Sequence, residues 1–215
     1  MNISKRLRKY IDLKILFKSV AVATVFLLVL SLVSFGSRYD NIRQNVLRLH
    51  ILANSDSAED QSLKLRVRDA VLKETEIIFA NCENEQQAVS AAKQNLGKIA
   101  AVADKTIKEN GYNYTVTASV CDMWFEDRVY DNFTLPAGMY EAVRVEIGEA
   151  NGKNWWCVMF PGICLPTASD SNELSKSLSE KETDMCERPQ KYTAKFKVVE
   201  LFHRCQKGLK SFFGS

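Results

Sequence analysis

The stretch LPAGMYEAVRVEIGEANGKNWWCVMFPGIC, from Leu135 to Cys164, decides how the rest of the chain is read. From Tyr140 to Ile147 it alternates, with Val143, Val145 and Ile147 on one side and Ala142, Arg144 and Glu146 on the other. A period of two with β-branched residues on one face is the pattern of a half-buried strand. Ala150-Asn151-Gly152 tolerates positive φ, so the chain is expected to reverse there. Trp155 to Phe160 then returns as a second strand, and Pro161-Gly162 stops it. An isolated hairpin is marginal in water, so the neighbouring segments are expected to cover this one.

Working outward, Val46 to Ala53 reads as a strand that is apolar on both sides toward its end, and therefore central. Asn54-Ser55-Asp56-Ser57 follows, and either Asp56 with Glu59 or Ser57 with Asp60 has the spacing of a capping box. Leu63, Val67, Ala70, Val71, Ile77 and Ile78 keep helical spacing to about Phe79. A second helix is expected from about Glu85, with Ala88, Ala92, Leu96, Ile99, Ala103 and Ile107 as its stripe and Asn110-Gly111 as its stop. Tyr114 to Phe125 is the next strand, Val116, Ala118, Val120 and Trp124 opposing Thr115, Thr117 and Ser119. A looser connection through Asp131-Asn132 leads into the opening hairpin. Strand, helix, helix and three strands predict an α+β fold over residues 45–168, with two helices packed on one face of a mostly antiparallel sheet.

Residues 1–36 read as a signal peptide or an N-terminal membrane anchor. Lys5 to Lys18 is a basic flank, and Ser19 to Phe35 is uncharged and intermediate in length between a signal-peptide core and a bilayer span. Ser34-Phe35-Gly36 offers a weak cleavage site before Ser37, so cutting and retention both stay open. The positive-inside bias sends everything after Gly36 outward. Arg38 to Gln44 is expected to be a short polar spacer. The polar composition of residues 169–190 reads as a linker. Residues 191–215 read as a basic amphipathic helix, with Val198, Phe202, Cys205, Leu209 and Phe212 as its stripe and Lys195, Lys197, Arg204, Lys207 and Lys210 elsewhere. That helix either docks on the domain or lies on an anionic membrane or a partner.

The formal charge of +3 comes from the leader, and the remainder is net negative, without the basic excess that nucleic-acid binding needs. Of six cysteines, Cys157 and Cys164 flank the Pro161-Gly162 turn, as a disulfide or as two small buried hydrophobes. No C-x-x-C pair or His–Cys cluster suggests a metal. A Cys157–His50 pair is the conceivable nucleophilic arrangement; the competing reading makes His50 a structural hydrogen-bonding residue. Nucleophile-elbow, zincin and P-loop spacings do not occur, so neither a cofactor nor a small-molecule substrate is expected. Trp155 and Trp156 must point to opposite faces. One of them fills the core, while the other lies under a helix or anchors a partner.

Leu47-Arg48-Leu49-His50 with Ala53-Asn54-Ser55-Asp56, then Asp60-Gln61, Leu63-Lys64 and Val67-Arg68-Asp69, resembles the first signature of the stage II sporulation protein R family. Leu135-Pro136-Ala137-Gly138, Tyr140-Glu141-Ala142, Arg144-Val145, Ile147-Gly148, Asn154-Trp155-Trp156-Cys157-Val158 and Phe160-Pro161 resemble its second. The resemblance spans roughly residues 45–165. It implies an intercellular signal of endospore-forming bacteria, made in the forespore and exported to the space between the two septal membranes. There the family is needed to activate a membrane-embedded aspartic protease of the mother cell, which cleaves the sigma-E precursor. The family has no catalytic residues to carry over. The expectation is therefore a non-enzymatic ligand whose partner contacts come from Trp155, Trp156, Asn54, Ser55, Asp56, His50 and Arg144. The rival expectations are an exported thiol-dependent hydrolase or transferase using Cys157 and His50, and a septal scaffold acting by localisation.

Overall fold

A computed structural model describes residues 3–130, 133–162 and 177–201. The expected Asp131-Asn132 connection, Cys164, residues 169–176 of the expected linker and the tail from Phe202 onward lie outside the described residues. The elements in order are α1 (Ile3–Gln44), β1 (Leu47–Leu52), α2 (Ala58–Ile78), α3 (Glu85–Gln94), α4 (Leu96–Glu109), β2 (Val116–Phe125), β3 (Arg128–Val129), β4 (Thr134–Leu135), β5 (Gly138–Ile147), β6 (Asn154–Phe160) and α5 (Glu180–Glu187). A 3-10 turn (Pro189–Lys191) and a helical segment over residues 193–201 follow. The fold is α+β with a mostly antiparallel sheet, as the pattern predicts.

The sheet order is β2-β5-β1-β6, with β1 parallel to β5 and the other pairs antiparallel. This corrects the hairpin: β5 and β6 do not pair, because β1 lies between them. Five of the six β1 residues are buried, and a strand covered on both faces belongs in the middle of a sheet. Bridging across an intervening strand means spanning about 9–10 Å, two interstrand spacings. Residues 148–153 do this by arching over the end of β1, where Gly152 N donates to Ala53 O at 2.9 Å and Asn151 N to Asn54 O at 3.2 Å. A Cβ on Gly152 would strike the Ser55 carbonyl. That glycine therefore serves a close approach rather than a tight turn.

One face of the sheet carries Leu47, Leu49, Ile51, Val143, Val145, Ile147, Cys157 and Met159, packed under α2, α3 and α4. Ser57 caps α2 by accepting from Asp60 N, which decides between the two capping spacings. Leu63, Val67 and Val71 face inward as expected, but Ile77 is 70% exposed. The predicted second helix is two helices. Asn95 ends α3 and begins α4 with φ −111° and ψ 15°, and its Nδ2 donates to Ala91 O at 2.8 Å. The break preserves the stripe, since Ala88, Ala92, Ile99, Ala103 and Ile107 are all fully buried.

The opposite face has its own core. Residues 38–44 are not a spacer: α1 runs through them without a break, burying Phe35, Tyr39 and Ile42 against Tyr140, Ala142 and Val158. Within residues 177–190, α5 replaces the expected linker. Ser179 and Glu182 form its capping box, Leu178, Met185 and Cys186 are buried, and Asn41 Nδ2 donates to Glu182 Oε1 at 2.8 Å. The described part of the last helix turns Phe196 and Val199 inward. Val198, which the amphipathic pattern places on the docking stripe, is 50% exposed.

Candidate partner-binding site

The α1 face of the sheet is divided by rows of residues in register. Cys121, Ala142, Arg48 and Val158 form one row, which lies under α1 and α5. Arg48 is fully buried, its guanidinium 4.1 Å from the Phe125 ring centroid and 5.0 Å from that of Tyr140. Its Nη2 donates to the Tyr130 hydroxyl at 2.8 Å, whereas Nε and Nη1 have no hydrogen-bond partner. Nothing but a lone basic residue inside an apolar strand signals this aromatic box in the sequence.

The next row is Ser119, Arg144, His50 and Trp156, and beyond it lies Thr117, Glu146, Leu52 and Asn154. Ser119, Thr117 and Asn154 are exposed, and Arg144, Glu146 and Trp156 are half-buried. This half of the face is open. Trp156 stacks on His50 at 3.9 Å with an interplanar angle of 3° and meets Phe125 edge-on at 4.8 Å. His50 Nε2 lies 2.7 Å from Asn154 Oδ1, which fixes the proton on Nε2 and leaves Nδ1 without a partner. Burial lowers the His50 pKa, the Asn154 bond opposing and the Arg144 charge assisting, so the ring is neutral near pH 7. Arg144 pairs with Glu146 at 2.7 Å. The row thus presents the Trp156 plate and a guanidinium–carboxylate pair, while the His50 ring is buried, 4% exposed, behind Trp156.

The other candidates fall elsewhere. Trp155 points to the helix face, with the Arg68 guanidinium 4.4 Å from its ring centroid. Asn54, Ser55 and Asp56 are occupied within the chain. Asn54 Nδ2 and Ser55 Oγ donate to Asp60 Oδ2 at 2.8 and 2.6 Å, and Asp56 Oδ1 accepts from Lys153 N at 2.6 Å. Burial pushes the Asp60 carboxyl up, but hydrogen bonds from Ser55, Asn54 and Tyr114 outweigh it, leaving its pKa below the ordinary value. These side chains tie the 148–153 arch to the start of α2. Lys64 joins them, donating to Lys153 O at 2.8 Å.

Cys157 faces the helices opposite Leu49, while His50 faces the other way. The sheet lies between them, and Cys157 is disulfide-bonded, so the conceivable nucleophile and base do not meet. Among the described residues, no cluster of His, Cys, Asp and Glu is suited to hold a metal.

A family model for stage II sporulation protein R matches residues 43–170. This chain belongs to the stage II sporulation protein R family. A protein of that name from Bacillus subtilis (strain 168) is 35% identical over 147 residues, which make up 66% of this chain and 66% of that relative. The matched stretch is thus just under two thirds of the relative's length. No solved structure matches. The family match begins in the last turn of α1 and takes in all six strands. The stage II sporulation protein R region therefore includes both the open row and the arch over β1, and excludes the apolar part of α1 and the segment 193–201.

Proposed function

We propose that this protein is an exported, non-enzymatic sporulation signal that activates a membrane-embedded aspartic protease of the mother cell, leading to cleavage of the sigma-E precursor. The observation that carries the reading is the half-face of the sheet where Trp156 and Arg144 stand partly exposed in one row with exposed Ser119, and His50 is buried behind the Trp156 ring. An aromatic side chain backed by a rigid stack, with a polar rim, suits a protein contact. A ligand activates its target by binding the active arrangement better than the resting one, and a pre-organised plate loses little entropy in doing so. Family membership supports the sporulation setting, and the separation of Cys157 from His50 weighs against the thiol-enzyme rival.

The test is co-reconstitution of the full chain with the candidate protease and precursor in vesicles. Arg144→Glu, at a partly exposed position, should lower activation at least ten-fold with the circular dichroism spectrum and melting temperature unchanged. Trp156→Ala should do the same, with some loss of stability from the broken Phe125 contact. Full activation by both variants would remove the open row from the contact surface.

A further inference from the structure

α1 and the 193–201 segment meet at a particular height. From Ser19 to Ser37 the helix carries no charge, a rise of about 29 Å at 1.5 Å per residue, close to one hydrocarbon thickness. Lys18 and Arg38 bracket that interval. The large apolar side chains of the interval, from Val20 to Leu30 and Val33, are 48% to 70% exposed. At the outer end of this belt the last helix crosses α1. Lys195 Nζ donates to Ser31 Oγ at 3.1 Å and lies 5.8 Å from the Phe35 ring centroid. Phe35 in turn packs edge-on with Phe196 at 5.1 Å and stacks with Tyr192 at 5.9 Å.

The residues that this docking leaves outward are informative. Val198 is 50% and Leu201 64% exposed, three positions apart on one side of the segment. Val198 lines a groove of about 770 Å³ together with Leu32, Val33 and Gly36 of α1, its remaining lining including Arg38, Asp40 and Glu182. The exposed apolar side of the segment is therefore continuous with the exposed apolar belt of the span. Lys195 and Lys197 flank it, Glu200 is the one acidic residue of the segment, and the sequence after Leu201 adds Arg204, Lys207 and Lys210 with no acidic residue. Apolar residues on one side and lysines beside them, at the level where a span leaves the hydrocarbon, are the features of a helix lying in an anionic interface.

We propose that the 193–201 segment beds its Val198–Leu201 side into the outer surface of the bilayer that α1 crosses, with Lys197 at the level of anionic headgroups and Lys195 held on Ser31 of α1. Two contacts with the membrane, one crossing and one lying flat, fix the tilt of the sheet, which α1 alone would leave free to rotate about its axis. The open row is thereby aimed in one direction along the membrane.

A photo-crosslinking amino acid placed singly at positions 26, 198, 201 and 151 of the full chain, in vesicles containing phosphatidylglycerol, tests this without any protease. Position 26 lies within the span, and Asn151 is exposed on the arch at the far end of β1. Positions 198 and 201 should give lipid adducts within about two-fold of position 26 and at least ten-fold above position 151. Lys197→Glu should cut those yields several-fold in the anionic vesicles while leaving position 26 unchanged. Yields at 198 and 201 no higher than at 151 would overturn the proposal, as would adducts to a second copy of the chain in place of lipid.

Discussion

Glu85 opens α3 almost fully buried, 5% exposed. Burial first, then the charge of the neighbouring Glu141 carboxylate and the hydrogen bond with it, together raise its pKa to about 7 against a smaller lowering by Lys93. The folded protein therefore holds this proton more tightly than the unfolded chain, where the ordinary value is 4.5. A raised carboxyl favours the folded state fully below pH 4.5, and that contribution declines as pH climbs through about 7. Glu85→Gln should flatten this slope and leave the protein more stable at pH 8 by about 1–3 kcal/mol, read from urea midpoints at pH 5 and pH 8. An unchanged slope would show that the proton is not shared. Arg48 gives the complementary case, a buried cation among rings with two N–H groups unpaired. Removing a buried charge in favour of an apolar side chain of similar volume is often neutral or stabilising, whereas truncation leaves a cavity. Arg48→Met should therefore change stability by no more than about 1 kcal/mol, and Arg48→Ala should cost about 2–5 kcal/mol, by the same urea titration.

Among the elements, α1 has the widest consequence. The bond between Gly36 and Ser37, which composition marks as a cleavage point, lies inside an unbroken helix whose Phe35 is 2% exposed in the domain core. Proteolysis favours exposed loop tips, so the folded chain should resist cutting there. The purified full chain, treated with a protease that cleaves after small residues, should keep residues 1–36 attached by intact mass, and a product starting at Ser37 would contradict this. The sequence could not reveal as much, because the polar look of Arg38, Asp40, Asn41, Arg43 and Gln44 conceals a buried line at Phe35, Tyr39 and Ile42. The strands were legible from alternation, as was the first helix from its capping residues and stripe. The pairing was not, since alternation assigns faces but says nothing of which strand lies beside which. The same limit governs the site. Opposite faces for Trp155 and Trp156 follow from parity, whereas the meeting of His50, Arg144 and Trp156 requires β1 to stand between β5 and β6. The Asn54–Asp56 turn reads as a partner contact in the sequence because its actual partners, the acceptor Asp60 and the N–H donors of Glu149 and Lys153, are set by the fold.

For the molecule as a whole, the order in which the strands lie matters as much as their shape. The central strand is also the first to be made after α1, and both of its neighbours come much later, after three helices and the outermost strand of the far edge. Such non-local pairing forms slowly, since distant segments must be brought together before any contact is gained. The three helices of the intervening stretch can associate early, but the sheet cannot close until Asn154–Phe160 has emerged. For a chain exported as proposed above, this connectivity separates passage from folding in time, because the sheet stays incomplete until its last strand has followed.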